Sequence, residues 1–118
     1  MGCGQGHVRC AVIFEKDIRE AMDVQQTLTD RDKTHGSYPL VADTIVNLKQ
    51  VAHRAAHRAR ENNPDLPQLS PAQAEGIDMI LHKIGRILNG DPNEADHWRD
   101  IAGYATLNSN LITKGTHL

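Results

Sequence analysis

The residues best suited to chemistry in this chain fall into three groups. Asp78, His82 and Arg86 are spaced i, i+4, i+8 with Lys83 at their border, a spacing that puts them on one side of a helix. Asp96, Asp100, Gly103, Tyr104 and Leu107 form a second polar face further on. The run Arg31-Asp32-Lys33-Thr34-His35-Gly36-Ser37-Tyr38 supplies two cations, two hydroxyls, an imidazole and a phenol around a glycine. Backbone N–H groups beside a glycine turn, with Lys and Arg, are what a phosphate requires. The bland reading of all three groups is a solvated, salt-bridged surface. Against it stands Gly85, inside a helical pattern where glycine costs about 1 kcal/mol relative to alanine; it implies close approach by another backbone or a ligand.

Other chemistries find little support. His53 and His57 stand i, i+4 and could share a metal, but no acidic residue lies between them and arginines adjoin both, unlike a zinc-protease helix. Cys3 and Cys10 are too few for a tetrahedral zinc site or a disulfide framework and read as free thiols in a reducing compartment. No nucleophile elbow or Ser-His-Asp spacing occurs. No cofactor and no metal are expected.

The elements that position these groups read as helices. Ile13, Phe14, Ile18, Ala21, Met22 and Gln25 recur at threes and fours, which predicts a helix from Ala11 to Leu28. Residues 1–10 read as a flexible leader, and 11–118 as one helical domain. The charges, Gly and Pro between Thr29 and Pro39 predict a loop. A second helix is expected from Leu40 to Glu61 along Val41, Ile45, Leu48, Val51 (or Ala52) and Ala55, with a basic end that suits the helix dipole. Ser70, Pro71 and Gln73 make a capping box before a third helix, whose apolar face is Ile77, Ile80, Leu81, Ile84, Ile87 and Leu88. Asn89-Gly90 stops it, and Asp91-Pro92-Asn93-Glu94 starts a fourth, with Trp98, Ile101, Ala102, Ala105 and Ile112 on its main apolar face. So short a connection makes the last two helices an antiparallel hairpin. The fold class expected is all-α, a small four-helix bundle-like domain with this C-terminal αα-hairpin.

Composition sets further bounds. A chain of 118 residues with one Trp, one Phe and two Tyr must build its core from aliphatics, and at this size it buries only about two-thirds of its unfolded surface. Completion of the core by homo-oligomerisation is expected. A net charge of −2 provides no basic field for nucleic acid. No apolar run approaches a membrane span, and the N-terminus lacks the features of a signal peptide; a cytoplasmic location, without a membrane partner, is the expectation.

The run Arg31 to Tyr38, Ser70-Pro71-Ala72-Gln73, the stretch Asp78 to Leu88, and Asp96-His97-Trp98-Arg99-Asp100-Ile101-Ala102-Gly103-Tyr104 together resemble a family of small bacteriophage proteins. That resemblance implies a phage origin, hence the cytoplasm of an infected bacterium, and brings no activity with it. The two-helix layout is also distantly similar to the all-α nucleoside triphosphate pyrophosphohydrolases of the MazG and dimeric dUTPase type, which hold magnesium through Glu-x-x-Glu and Glu-x-x-Asp. In this chain the first motif falls on His82-Lys83-x-x-Arg86, and the second survives as His97-x-x-Asp100 or Asp96-x-x-x-Asp100. Cations in place of carboxylates disfavour magnesium, which needs oxygen ligands, and suit phosphate oxygens.

The expected function is a non-catalytic binding protein for a phosphorylated nucleotide-type ligand. In a phage it would be a counter-defence sponge for a signalling nucleotide such as a cyclic oligonucleotide or an ADP-ribose derivative. Arg31, Lys33, Lys83 and Arg86 would hold phosphates, with Thr34, His35, Ser37 and His82 nearby. Tyr38, Tyr104 or Trp98 would stack on a base, and Asp96 or Asp100 would accept from ribose hydroxyls. One alternative is a divergent magnesium-dependent pyrophosphohydrolase using Asp78, Asp96 and Asp100. Another is a structural oligomerisation module.

Overall fold

A computed structural model describes the backbone of residues 7–115 and the side chains of residues 16–115. Helices α1 (His7–His35), α2 (Tyr38–Asn62), α3 (Pro71–Asn89) and α4 (Ala95–Thr113) follow in order, with no strand among the described residues. The fold is all-α, a small helical bundle closed by the expected α3–α4 hairpin. Six residues of the expected leader, Cys3 among them, lie outside the described residues. Residues 7–10 belong to α1.

The α3 start forms as its sequence dictates. The Gln73 N–H donates to Ser70 Oγ at 3.1 Å, the Ser70 N–H donates to Gln73 Oε1 at 2.9 Å, and Pro71 occupies the first turn. Antiparallel pairing with α4 shows in its cross-links: Asn108 Nδ2 donates to the Ala72 carbonyl at one end, and Lys83 meets Asp100 toward the other. α3 is the central helix, packed on both α2 and α4.

The expected loop over Thr29–Pro39 is a correction. Arg31 to His35 are the last turns of α1, and only Gly36 and Ser37 separate α1 from α2. A run of mixed charges does not break a helix whose faces are solvated: Lys33 meets Asp30 at 3.6 Å, and Gln26 Nε2 donates to Asp30 at 3.0 Å. What stops α1 is Gly36, at φ +84°, whose N–H closes on the Asp32 carbonyl at 3.0 Å, a left-handed C-terminal cap. Pro39 then lies in the first turn of α2, where its missing N–H is not needed.

Packing is concentrated in a few contacts. Val41 and Ile45 of α2 are the buried apolar side chains among the described residues. They sit against Gly85, where an added Cβ would lie 2.6 Å from Ile45 Cγ1. The close approach implied by Gly85 is therefore that of α2. Gly103, on the other polar face, meets nothing within 4 Å. Along α2, Leu48 and Ala52 continue the stripe while Val51 and Ala55 are exposed. Ile80, Leu81, Ile84 and Ile87 of α3 are half-buried as expected, whereas Ile77 and Leu88, at the two ends of the expected face, are exposed.

The face of α4 is a second correction. Trp98, Ala102, Ala105 and Ile112 are exposed; His97, Ile101, Tyr104, Asn108 and Leu111 pack inward. The helix is rotated because His97, 2% exposed, finds a hydrogen-bonding partner inside, whereas the Trp98 indole N–H donates to the Pro92 carbonyl at the surface. Beyond this body α1 projects as an arm, and the molecule measures 74 × 29 × 26 Å.

Candidate functional site

The end of α1, the second half of α3 and the start of α4 meet around a cleft of about 350 Å³. Thr34 and His35 come from α1, Lys83 and Arg86 from α3, and Glu94, Asp96, His97 and Asp100 from the start of α4 and its cap. Capping geometry places α4: the Glu94 carboxylate accepts from the Asp96 N–H, and Asp91 Oδ1 accepts from the Asn93 N–H at 2.9 Å.

The Thr34 carbonyl is the knot of the junction. It accepts from the Asp91 N–H at 3.0 Å and from His97 Nε2 at 3.3 Å. A carbonyl only accepts, so this bond requires a proton on Nε2 of His97. The His97 ring lies 4.7 Å from that of His35, tilted by 56°. The Thr34 hydroxyl donates to the Arg31 carbonyl at 3.3 Å and lies 3.0 Å from His35 Nδ1.

Charge in the cleft is uneven. Lys83 Nζ sits 2.9 Å from Asp100 Oδ2, with the lysine side chain only 12% exposed. That ammonium, first through the hydrogen bond and then through its charge, holds the Asp100 carboxyl below its usual range. Arg86 has no carboxylate within 4.0 Å among the described residues. Burial, followed by the charge of Arg86, with His97, Arg31 and Lys83 adding smaller amounts, lowers the His35 pKa. The positive potential reaches along α3: burial and Lys49 lower the His82 pKa, Arg86 and Lys83 contribute, and Asp78 opposes. The floor of the cleft is cationic, and its rim carries Glu94 and Asp96.

An experiment separates this pair, buried on the lysine side and half exposed on the carboxylate side, from its fully exposed neighbour. Asp100→Asn leaves a mostly buried ammonium without its carboxylate, a loss that exceeds the removal of both charges. The Asp96–Arg99 pair, exposed on both sides, should contribute little. The expected order of melting temperatures has Asp100→Asn well below wild type, with Asp96→Asn and the isosteric pair Lys83→Met/Asp100→Leu close to it. Thermal melts followed by circular dichroism check the order, and equal effects of Asp100→Asn and Asp96→Asn would contradict the geometry.

Of the expected ligand residues, Thr34, His35, Lys83, Arg86, Asp96 and Asp100 converge on the cleft. The rest do not line it. Lys33 pairs with Asp30 on the exposed arm, Arg31 is exposed on α1, Ser37 is the N-cap of α2 and Tyr38 is 79% exposed. His82 stands beside Lys49 of α2. Tyr104 is half-buried at the far end of the hairpin, lining grooves beside Gly76 and Asn108. No tyrosine or tryptophan lines the cleft; its rings are the half-buried imidazole of His35 and the buried one of His97. His97 and Glu94 were missing from the expected set. His97 carried one signal, a histidine flanked by acidic and aromatic residues at a helix start; Glu94 carried the cap position.

The three carboxylates named for the magnesium alternative do not meet in one place: Asp96 and Asp100 line the cleft and Asp78 does not. Asp78 Oδ1 lies 3.1 Å from His53 Nε2, on the side of α3 that faces α2 and away from Asp96 and Asp100. His57 is separately engaged, 2.8 Å from Glu61. Among the described residues no three His, Cys, Asp or Glu side chains are placed to share a cation. Within the same residues no helix is long and apolar enough to cross a membrane. No family model, curated protein or solved structure matches the chain.

Proposed function

We propose that the chain is a non-catalytic receptor for a phosphorylated nucleotide-type ligand, held in the cleft between α1, α3 and α4. The observation that carries this reading is Arg86, a guanidinium without an ion-pair partner among the described residues, beside two imidazoles and a paired lysine. A guanidinium gives an anion two parallel charge-assisted hydrogen bonds, and neutral His35 adds a site that gains a proton when an anion arrives.

The rim narrows the ligand. Lys83 is already neutralised by Asp100, and Glu94 and Asp96 add negative charge. A triphosphate would face more carboxylates than unpaired cations. A phosphodiester or pyrophosphate-linked sugar suits the site better: one phosphate on Arg86 and His35, with ribose hydroxyls donating to Asp96 or Glu94. In a phage-encoded chain, as the sequence resemblance suggests, such a binder without a catalytic set would serve to sequester a signalling nucleotide.

Calorimetric titration of cyclic dinucleotides, ADP-ribose, ATP and inorganic phosphate tests the proposal. Saturable binding of a diester or ADP-ribose, weakened at least about tenfold by Arg86→Ala, is expected, since a hydrogen bond to a charged group contributes about 1.5–3 kcal/mol. Failure to bind any of them, or binding indifferent to Arg86→Ala, would overturn it.

A further inference from the structure

Between Lys16 and Lys33 the arm formed by α1 has no packing partner among the described residues. Every residue from Lys16 to Lys33 is exposed, yet Ile18, Met22, Val24 and Leu28 are large apolar side chains, 44–65% exposed. Ile18, Ala21, Gln25 and Leu28 follow a 3-4-3 spacing, the a/d seam of a coiled coil, with Val24 and Met22 on its two flanks.

The charges of the arm are divided in the same way. Lys16 pairs with Glu20, Lys33 with Asp30, and Gln26 with Asp30, all along the outer surface. Asp17 and Arg31 border the seam on one flank and have no ion-pair partner among the described residues. They are two heptads apart in sequence, with Val24 midway between them.

We infer that α1 pairs antiparallel with α1 of a second copy of this chain, about a two-fold axis between Met22 and Val24. In that register Ile18 packs on Leu28 of the second copy, Ala21 on its Gln25, and Val24 and Met22 each meet their own equivalents. Asp17 faces Arg31 of the second copy and Arg31 faces its Asp17, so the seam-flanking charges of the two copies form two ion pairs. A parallel pair buries the same apolar seam but matches neither charge. It sets Asp17 beside an apolar Met22, leaves Arg31 unmatched and brings the two Asp32 carboxylates, next in the a/d series, onto each other.

The small Ala21 makes room for the Gln25 amide, and one polar layer fixes register at the expense of strength. The pairing is independent of whether the cleft holds an anion. It places the two clefts at opposite ends of the paired arms.

Sedimentation equilibrium of the full chain over a range of concentrations tests the inference. A reversible dimer is expected. Ile18→Asp/Leu28→Asp should abolish it while leaving the cooperative melt of the body in place, because those side chains touch nothing there. Asp17→Arg alone, or Arg31→Asp alone, puts like charges together at both ends and should raise the dimer Kd about tenfold. The double exchange Asp17→Arg/Arg31→Asp should restore it. A monomer at every concentration, a dimer that survives Ile18→Asp/Leu28→Asp, or single charge reversals without effect would each overturn the antiparallel pairing.

Discussion

Gly36→Ala should destabilise the fold by about 2–5 kcal/mol, a large part of the 5–15 kcal/mol that holds a domain of this size together. Two causes act at one atom. The residue has φ +84°, where an L side chain costs about 1–2 kcal/mol. The new Cβ would also run into the Asn89 carbonyl group, 2.6 Å from its carbon, and the backbone must shift to relieve it, which adds about 1–3 kcal/mol. Gly90 is the other half of this crossing. A Cβ there would meet the Thr34 carbonyl oxygen and lie 2.7 Å from the His35 carbonyl carbon, but φ is −127°, so Gly90→Ala carries only the steric cost. Two further glycines calibrate the series. Gly115 has φ +68° with open space around it, and Gly103 is helical with nothing within 4 Å. Gly115→Ala should therefore cost about 1–2 kcal/mol, and Gly103→Ala should stabilise by up to about 1 kcal/mol. Urea midpoints of the four variants give the ranking. Gly36→Ala with a midpoint near that of Gly103→Ala would show that the two backbones do not cross there. The double variant Gly36→Ala/Gly90→Ala should be less than additive, because both remove one crossing.

That crossing is also where sequence reading reached its limit. Ser70-Pro71-x-Gln73 and Asn89-Gly90-Asp91-Pro92 act on neighbours a few residues away, so the α3–α4 hairpin was legible from local chemistry alone. Gly36 is legible as a break, but the charges before it, which read as part of the same loop, stay helical, and the glycine alone ends α1. On a solvated helix Asp30, Arg31, Asp32 and Lys33 satisfy one another or water, and nothing in them opposes helical φ and ψ. The face of α4 failed for the opposite reason. Trp98 shares the expected apolar face with Ile101, Ala102, Ala105 and Ile112, yet the position of greatest burial goes to His97, whose partner Thr34 lies 63 residues away. No periodicity encodes such a bond. The candidate site shows both cases: Lys83 and Arg86, and Asp96 and Asp100, stood out by spacing, but only the fold could show that the end of α1 closes over them. The same fold sends Tyr38, Tyr104 and Trp98 elsewhere.

Binding of a phosphodiester or pyrophosphate ligand should tighten as pH falls from about 8 toward 6, while the stability of the free protein holds down to about 6.5 and declines only below it. Such ligands keep a constant charge over this range, unlike a phosphate monoester with its second pKa near 6, so the trend reports the protein. In the free cleft, burial and Arg86 hold the His35 pKa below the ordinary 6.5. An anion beside the ring favours the imidazolium and raises that pKa. Between the free and bound values binding takes up a proton, and affinity changes by at most about tenfold per pH unit. Stability has the reverse sign. Unfolding restores His35 and His82 to ordinary values from lowered ones, so the unfolded chain holds more protons as pH drops below 6.5 and gains on the fold. Stability is full above 6.5 and is lost on acidification through the window beneath it. Ligand protection against melting should therefore grow as the unliganded melting temperature falls. His35→Gln should flatten the affinity trend while leaving binding itself measurable at pH 8. Arg86→Ala acts twice: it weakens binding at every pH and lets the His35 pKa rise toward 6.5, which an NMR titration of the imidazole C–H signals reads directly. Affinity independent of pH in wild type, or a His35 titration unmoved by Arg86→Ala, would break the link between guanidinium, imidazole and anion on which the proposed site depends.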